Sequence, residues 1–355
     1  MPDLSTIVDL VYPAENANTD GVMSVARERL ASEIASARRV RCPRRTWALA
    51  AGGALALTAA GAVTFGPLGL GRGGLERADA ATVRLLEGAA TAVEGTRGAP
   101  APGPGQLAYR HTRGFQLAGI DGGPTNPGGF NYMVGSERED WTGGGKLRIR
   151  QRVTDTRFPT AQDRVTSRRQ GFLPLGIGLG TETPGWHDQT MSVGESGPQI
   201  FGSVGLSDDV LSSYGSDPEG LARLLRETAP RYGGQQADEE TFTLVGDLAR
   251  NAELSGNARA GVFRAAAYVA NVSVVGRWTD PLGREGIVVA RTAAASGIRT
   301  ELVFDATTER LIGERSVVQR SFDGIPVGTV IGWTATLDEG VVDSITSRPA
   351  GVKQP

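Results

Sequence analysis

"RTELVFDATTERLIGERSVV" occupies residues 299–318. Two runs rich in Val, Leu, Ile and Phe, 299–305 and 310–319, are separated only by "ATTE" (306–309). Branched and aromatic side chains suit a pleated strand. A link this short joins antiparallel neighbours, because a parallel crossover needs a dozen residues or more. The stretch therefore predicts a hairpin, and the pattern extends both ways. "VSVVGRWTD" (272–280) and "GIVVART" (286–292) precede it, and "GTVIGWTATL" (328–337) follows. The joining pieces "PLGRE", "AAASGI" and "SFDGIPV" are equally short, so these strands read as an antiparallel meander.

A second set of strands lies upstream. "QLAYRHTRGFQL" (106–117) places Leu107, Tyr109, His111, Arg113, Phe115 and Leu117 on one face. "GFNYMVGSEREDWTGG" (129–144) and "KLRIRQRVTD" (146–155) continue it, with Trp141 ahead of a Gly-Gly-Gly turn. Between the two sets the period changes to helical. "SDPEGLARLLRETAP" (216–230) has Asp217 at an N-cap and Pro218 at the first helical position, carries Leu221, Leu224 and Leu225 on one stripe, and stops at Pro230. In "ADEETFTLVGDLARNA" (237–252), Asp238, Glu239 and Glu240 complement the positive helix end, and Phe242, Val245, Leu248 and Ala249 face inward. "SGNARAGVFRAAAYVAN" (255–271) gives a third helix through Val262, Phe263, Ala266 and Val269. A further helix is expected over 79–94, ending at Gly95, before the Pro/Gly linker 95–106. Residues 171–206 are rich in Gly and Pro and read as a long surface loop or flap.

The segment 46–71 decides the compartment. It holds 26 residues without a charge: sixteen apolar, six Gly, three Thr and Pro67. Trp47 to Phe65 would be roughly 28 Å long as a helix, close to the thickness of a bilayer core. Five arginines in "RRVRCPRR" (38–45) precede it, whereas Arg72 and Arg77 on the other side are offset by Glu76 and Asp79. The positive-inside rule then puts the N-terminus in the cytoplasm and the C-terminal domain outside the cell membrane, as a single-pass protein. The other readings of the segment are a signal cleaved after Ala80, from the "ADA" motif (78–80), and a buried helix.

The expected organisation is a cytoplasmic segment 1–45, a transmembrane helix 46–71, a helix and linker 72–105, an extracytoplasmic α+β domain 106–349 and a tail 350–355. The fold class is α+β: an antiparallel meander or half-barrel with helices packed on one face. Within 1–45, residues 20–37 read as a short amphipathic helix capped by Asp20, with Val22, Ala26, Leu30 and Ile34 on one stripe. Such a stripe either docks on a cytoplasmic regulatory protein or lies on the inner membrane surface.

The net charge of −2 and the lack of a basic stripe argue against a nucleic-acid partner. Cys42 is the one cysteine, so no intrachain disulfide forms. The two histidines, His111 and His187, have no metal-binding spacing, and no G-x-S-x-G elbow occurs. His187 with Asp188 is the nearest approach to a hydrolase constellation. "GIGLG" (176–180) imitates a phosphate loop but lacks the following Lys-Ser/Thr. Asp208, Asp209 and Asp217 read as helix caps, without the spacing of an EF-hand. Trp186, Trp278 and Trp333 are candidates to line a groove, with core or sheet-face packing as the plainer reading of the last two. The sequence assigns no catalytic, cofactor-binding or metal-binding residue, no cofactor and no enzymatic activity.

With "ARERL" (26–30), the arginine cluster, "PGPGQLAYRHTR" (102–113), "VVGRWTDPLGREGIVVART" (274–292) and the 299–318 hairpin, the chain resembles a family of actinobacterial single-pass membrane proteins with anti-sigma-like topology. The hairpin also looks like the closing strands of the half-barrel of lipoprotein carriers and periplasmic sigma regulators. The resemblance implies an extracytoplasmic sensor or binding domain whose cytoplasmic helix regulates a sigma factor, and it supplies no catalytic residue to carry over. The alternatives are a carrier module holding a lipid or apolar ligand and, third, a hydrolase. The cytoplasmic part lacks the His-x-x-x-Cys pair of a zinc-binding anti-sigma domain.

Overall fold

Period-two alternation is realised as strands on both sides of a helical block. The computed structural model describes residues 75, 77–94, 101–120, 128–171, 185–192, 206–232, 237–321 and 324–350. The chain runs through α1 (Ala80–Glu94), β1 (Leu107–Ile120), β2 (Phe130–Gly143), β3 (Lys146–Arg157), α2 (Ala161–Arg169) and β4 (His187–Ser192). It continues through α3 (Asp208–Ser213), α4 (Pro218–Tyr232), α5 (Ala237–Ala249) and α6 (Gly256–Ala266). Strands β5 (Ser273–Thr279), β6 (Glu285–Thr292), β7 (Ile298–Asp305), β8 (Leu311–Val318) and β9 (Val330–Val342) complete it. The α+β class and the antiparallel sheet follow the sequence expectation. The expected cytoplasmic segment and the helix expected over 20–37, the expected membrane span 46–71 and "GIGLG" lie outside the described residues. Among the described residues, no helix is long and apolar enough to cross a membrane.

The nine described strands form one sheet in the order β4-β3-β2-β1-β9-β8-β7-β6-β5. The first four strands step outward to one edge. Helices α3 to α6 intervene, and β5 to β9 then step inward from the other edge until β9 pairs with β1. The seam is tight. A Cβ on Gly114 of β1 would lie 2.1 Å from the Trp333 carbonyl oxygen, and one on Gly313 of β8 would lie 2.4 Å from that of Thr334. Only glycine lets both neighbours approach the β9 backbone this closely.

Helices α1, α4, α5 and α6 cover one face of the β5–β8 half. Leu86, Leu221, Leu225, Phe242, Leu248 and Phe263 pack there with Val289, Leu302 and Phe304 in the largest apolar cluster. Phe263 meets Phe304 edge-on at a centroid distance of 5.5 Å. Arg264 of α6 bonds Glu87 (3.0 Å) and Glu94 (2.6 Å) of α1, tying the two helices together.

Several boundaries differ from expectation for local reasons. Part of the expected loop 171–206 is the edge strand β4, paired with β3 through Arg148↔Thr190 and Arg150↔Asp188. Pro230 does not stop α4 but sits inside it, two residues before the helix ends at Tyr232. Helix α6 ends at Ala266, and the chain continues in tighter turns, with the N–H groups of Tyr268 and Val269 bonding three residues back. Helix α2 was not anticipated. Thr160 caps it by accepting from Asp163 N at 3.0 Å, and the Asp163 carboxylate accepts from Asn131 N at 2.8 Å, bolting α2 to the start of β2.

The residues just before α1 belong to the folded unit. The Asp79 carboxylate accepts from Ala81 N (2.9 Å), Thr82 N (3.0 Å) and the Thr82 hydroxyl (2.9 Å). Those bonds hold its carboxyl below the usual carboxylate range. Ala78 N donates to Ala267 O at 2.7 Å, Leu75 packs on the helical core, and the Arg77 guanidinium stacks over Tyr268. Asp79→Ala is expected to lower the melting temperature by a few degrees, and Asp79→Asn by less, because asparagine still caps. Thermal unfolding followed by circular dichroism checks this.

Candidate functional site

The face of the sheet away from the helices is built from the alternation seen in "YRHTR", "SEREDW" and "LRIRQR". Pairing aligns the strands into rows. One row runs Asp188, Arg150, Glu139, His111; the next runs Arg152, Glu137, Arg113. Residues opposite one another on a sheet face interact directly, and opposite charges stabilise the pairing.

The base of this surface is buried. The Glu139 side chain is 0 % exposed. It accepts from the Tyr109 hydroxyl at 2.7 Å, from Arg150 at 3.1 Å, and from Arg348 at 2.5 and 2.8 Å. Burial disfavours its charge, but the bonds from Arg348 and Tyr109 outweigh that and bring its carboxyl down to about 2. Burial, followed by the bond to Glu139, pushes the Tyr109 phenol well up. His111 Nε2 lies 2.9 Å from Glu137 Oε1, and Arg152 holds the other oxygen of Glu137 at 2.6 Å. Burial opposes ionisation of Glu137, but Arg152 and His111 together hold its carboxyl low.

Arginines stack against tryptophans above this base. Arg150 and Arg152 lie 4.5 and 4.8 Å from the Trp186 ring centroid, and Arg148 lies 4.7 Å from that of Trp141. The segment after β9 folds back onto the same face. Trp141 Nε1 donates to Ser347 O (2.6 Å) and Arg148 to Ile345 O (2.6 Å), while Arg148 also pairs with Asp188. Arg113 is exposed and forms no ion pair among the described residues. Beyond it, Trp333 meets Phe115 edge-on, and on β8 Arg315 lies 4.6 Å from the Trp278 centroid. Glu301, also 0 % exposed, anchors Arg299 (2.6 Å) and Arg315. Among the described residues, from Arg113 to Arg348, arginines outnumber carboxylates on this side, so its described part carries a positive excess.

The histidines are not brought together. His111 is on β1 on the helix-free face; His187 is on β4, and alternation turns it to the other face from Asp188, whose carboxylate Arg148 holds. Trp186, Trp333 and Trp278 share one face but sit near β3, on β9 and on β5, so they form no single groove. Asp217 caps α4 by accepting from Gly220 N (2.8 Å), whereas α3 is capped by Ser207, and Asp208 in its first turn instead accepts from Ser255 N (2.6 Å) just before α6. Among the described residues no group of His, Cys, Asp or Glu is arranged to hold a metal ion. A cavity of about 50 Å³ under α5 is lined by Glu239, Glu240, Thr243, Arg291, Ser296 and Thr300. Burial, then the neighbouring Glu239, raises the Glu240 carboxyl there.

No protein-family model matches the chain, and no curated protein matches it. The arginine–glutamate rows were not singled out from the sequence. The signal was present: Glu137 and Glu139 stand two apart on one strand, and Arg148, Arg150 and Arg152 stand two apart on the next.

Proposed function

We propose that this is a membrane-anchored sensor or binding protein. Its sheet domain lies outside the cell and takes an acidic ligand on the helix-free face, and its segment 1–45 contacts a cytoplasmic regulator, a sigma factor by the resemblance noted above. The observation that carries the ligand half is the set of arginine–tryptophan stacks standing on the buried bases Glu137 and Glu139. Such side chains are ordered before a ligand arrives, which cuts the entropic cost of binding. In the β5–β8 half the apolar strand positions of the other face are packed against the chain's own helices, which favours a polar ligand over a lipid one there.

The membrane half rests on the uncharged span 46–71 and its arginine-rich flank. The docking of Leu75 and residues 77–79 supports a retained anchor over a cleaved signal: a cut after Ala80 would remove the Asp79 cap and sever the Ala78–Ala267 bond. The test uses the full chain in its own membrane. Protease added outside intact cells is expected to digest the C-terminal domain and leave a protected fragment containing residues 1–45. The same segment is expected to co-precipitate a sigma factor, and Leu30→Glu to abolish this by charging the apolar stripe. A C-terminal domain untouched by external protease, or capture unchanged by Leu30→Glu, would sink the reading.

A further inference from the structure

A second charged cluster lies on the helix-bearing face, where the end of α5 and the start of α6 meet β1, β8 and β9. Pairing sets Arg110 of β1 between Asp140 of β2 and Glu339 of β9. Neither carboxylate serves it. Asp140 is held by Arg138 at 2.7 Å, and Glu339 by Arg259 at 3.4 Å and Arg310 at 3.3 Å. Arg250 is likewise spent, on Asp247, on Glu314 (2.5 Å) and on its own Gly246 O (3.0 Å).

Arg110 therefore donates to one group among the described residues, the Arg250 carbonyl oxygen, at 3.1 Å. Its Nε is shut away from solvent with no acceptor, and so is the Nε of Arg259, a residue only 5 % exposed. The guanidiniums of Arg110, Arg138, Arg250, Arg259 and Arg310 outnumber the carboxylates of Asp140, Asp247, Glu314 and Glu339. Burial, and next the Arg250 charge, push Arg110 down to about 10. A guanidinium offers five donors in a fixed fork matched to carboxylate and phosphate oxygens. The Arg110 side chain is partly exposed, but its Nε and that of Arg259 are buried donors without an acceptor, and a buried donor left unmade is costly unless something answers it.

We infer that Arg110, with Arg259 beside it, binds a small oxyanion, a carboxylate or phosphate group, at the junction of β1, β9 and the α5–α6 turn. The site is on the opposite side of the sheet from the arginine–tryptophan surface and stands or falls without it.

The test is calorimetric titration of the full chain in detergent, in a chloride buffer of constant ionic strength, with inorganic phosphate in one arm and acetate in the other. Saturable binding of one equivalent is expected in at least one arm, and the arm that saturates identifies the oxyanion. Arg110→Gln is expected to weaken it about tenfold or more, the loss of a charge-assisted hydrogen bond. Arg277→Gln, at the exposed end of the β5 edge, should leave it unchanged. Should Arg110→Gln misfold, Arg110→Lys keeps the charge but loses the fork and is expected to weaken binding as well. If neither anion saturates on folded protein, or if both Arg110 variants bind as the parent does, the two Nε groups are answered by water and the inference is overturned.

Discussion

Glu139→Ala is expected to destabilise the sheet domain by about 3–5 kcal/mol, the usual cost of removing one partner from a buried charge network. The change strands three groups at once. Arg348, Arg150 and the Tyr109 hydroxyl all donate to this carboxylate, which is wholly shut from solvent. Like-charged guanidiniums would then face each other across an apolar hole beside Trp141. At roughly 2–4 °C per kcal/mol for a domain of this size, the melting temperature should fall by about 10 °C. A double variant with Arg348→Ala should recover part of the loss, since it removes one of the stranded cations. Additive losses would show that the network does not act as a unit. The same carboxylate gives a pH signature. Its folded pKa is depressed from the ordinary 4.5 to about 2. Its contribution is therefore complete above the ordinary value and is lost as pH falls from there toward 2. Acid titration of the parent should show this loss, and Glu139→Ala should show a flatter profile over that window.

Phe263→Ala is expected to cost about 3–5 kcal/mol, the range for truncating a fully buried phenylalanine. Phe263 is 0 % exposed and seats α6 on β7 through Phe304. Alanine there leaves a cavity among Leu302, Leu248 and the α1–α6 packing, which relaxes only partly. Chemical denaturation should show a lower midpoint with an unchanged slope. A changed slope would mean that the helical layer had come off the sheet as a separate step.

What was legible in the sequence tracks how strongly a periodicity was written. The five C-terminal strands announce themselves, because Val, Ile and Leu crowd runs joined by a few residues each. Helices α4 and α5 do so through acidic first turns and leucine or phenylalanine stripes. Helix α2 has no apolar stripe: of its residues only Asp163 and Ser167 are buried, so it is held by caps and by one carboxylate, which periodicity cannot report. Strand β4, "HDQTMS", is an edge strand stabilised by Arg148–Asp188 pairing, and only Thr190 among its residues has the branched character that marks a strand. The candidate surface was hidden for another reason. Each strand was readable alone, but the rows exist only across strands. Joining Glu139 to Arg150 is a matter of register, and joining it to Arg348 is one of a chain end folding back, and neither is local.

The docking of Leu75 and residues 77–79 bears on mechanics. On the proposed topology, only residues 72–74 separate the end of the apolar span from Leu75, which is already seated on the helical core. Fully stretched, that leash is on the order of 14 Å from Gly71 to Leu75. The domain would ride just above the lipid headgroups with little slack. Any load passing along the anchor would enter at the capped end of α1 and the turn after α6, so a bound ligand that shifts those two helices would tug directly on the membrane stem.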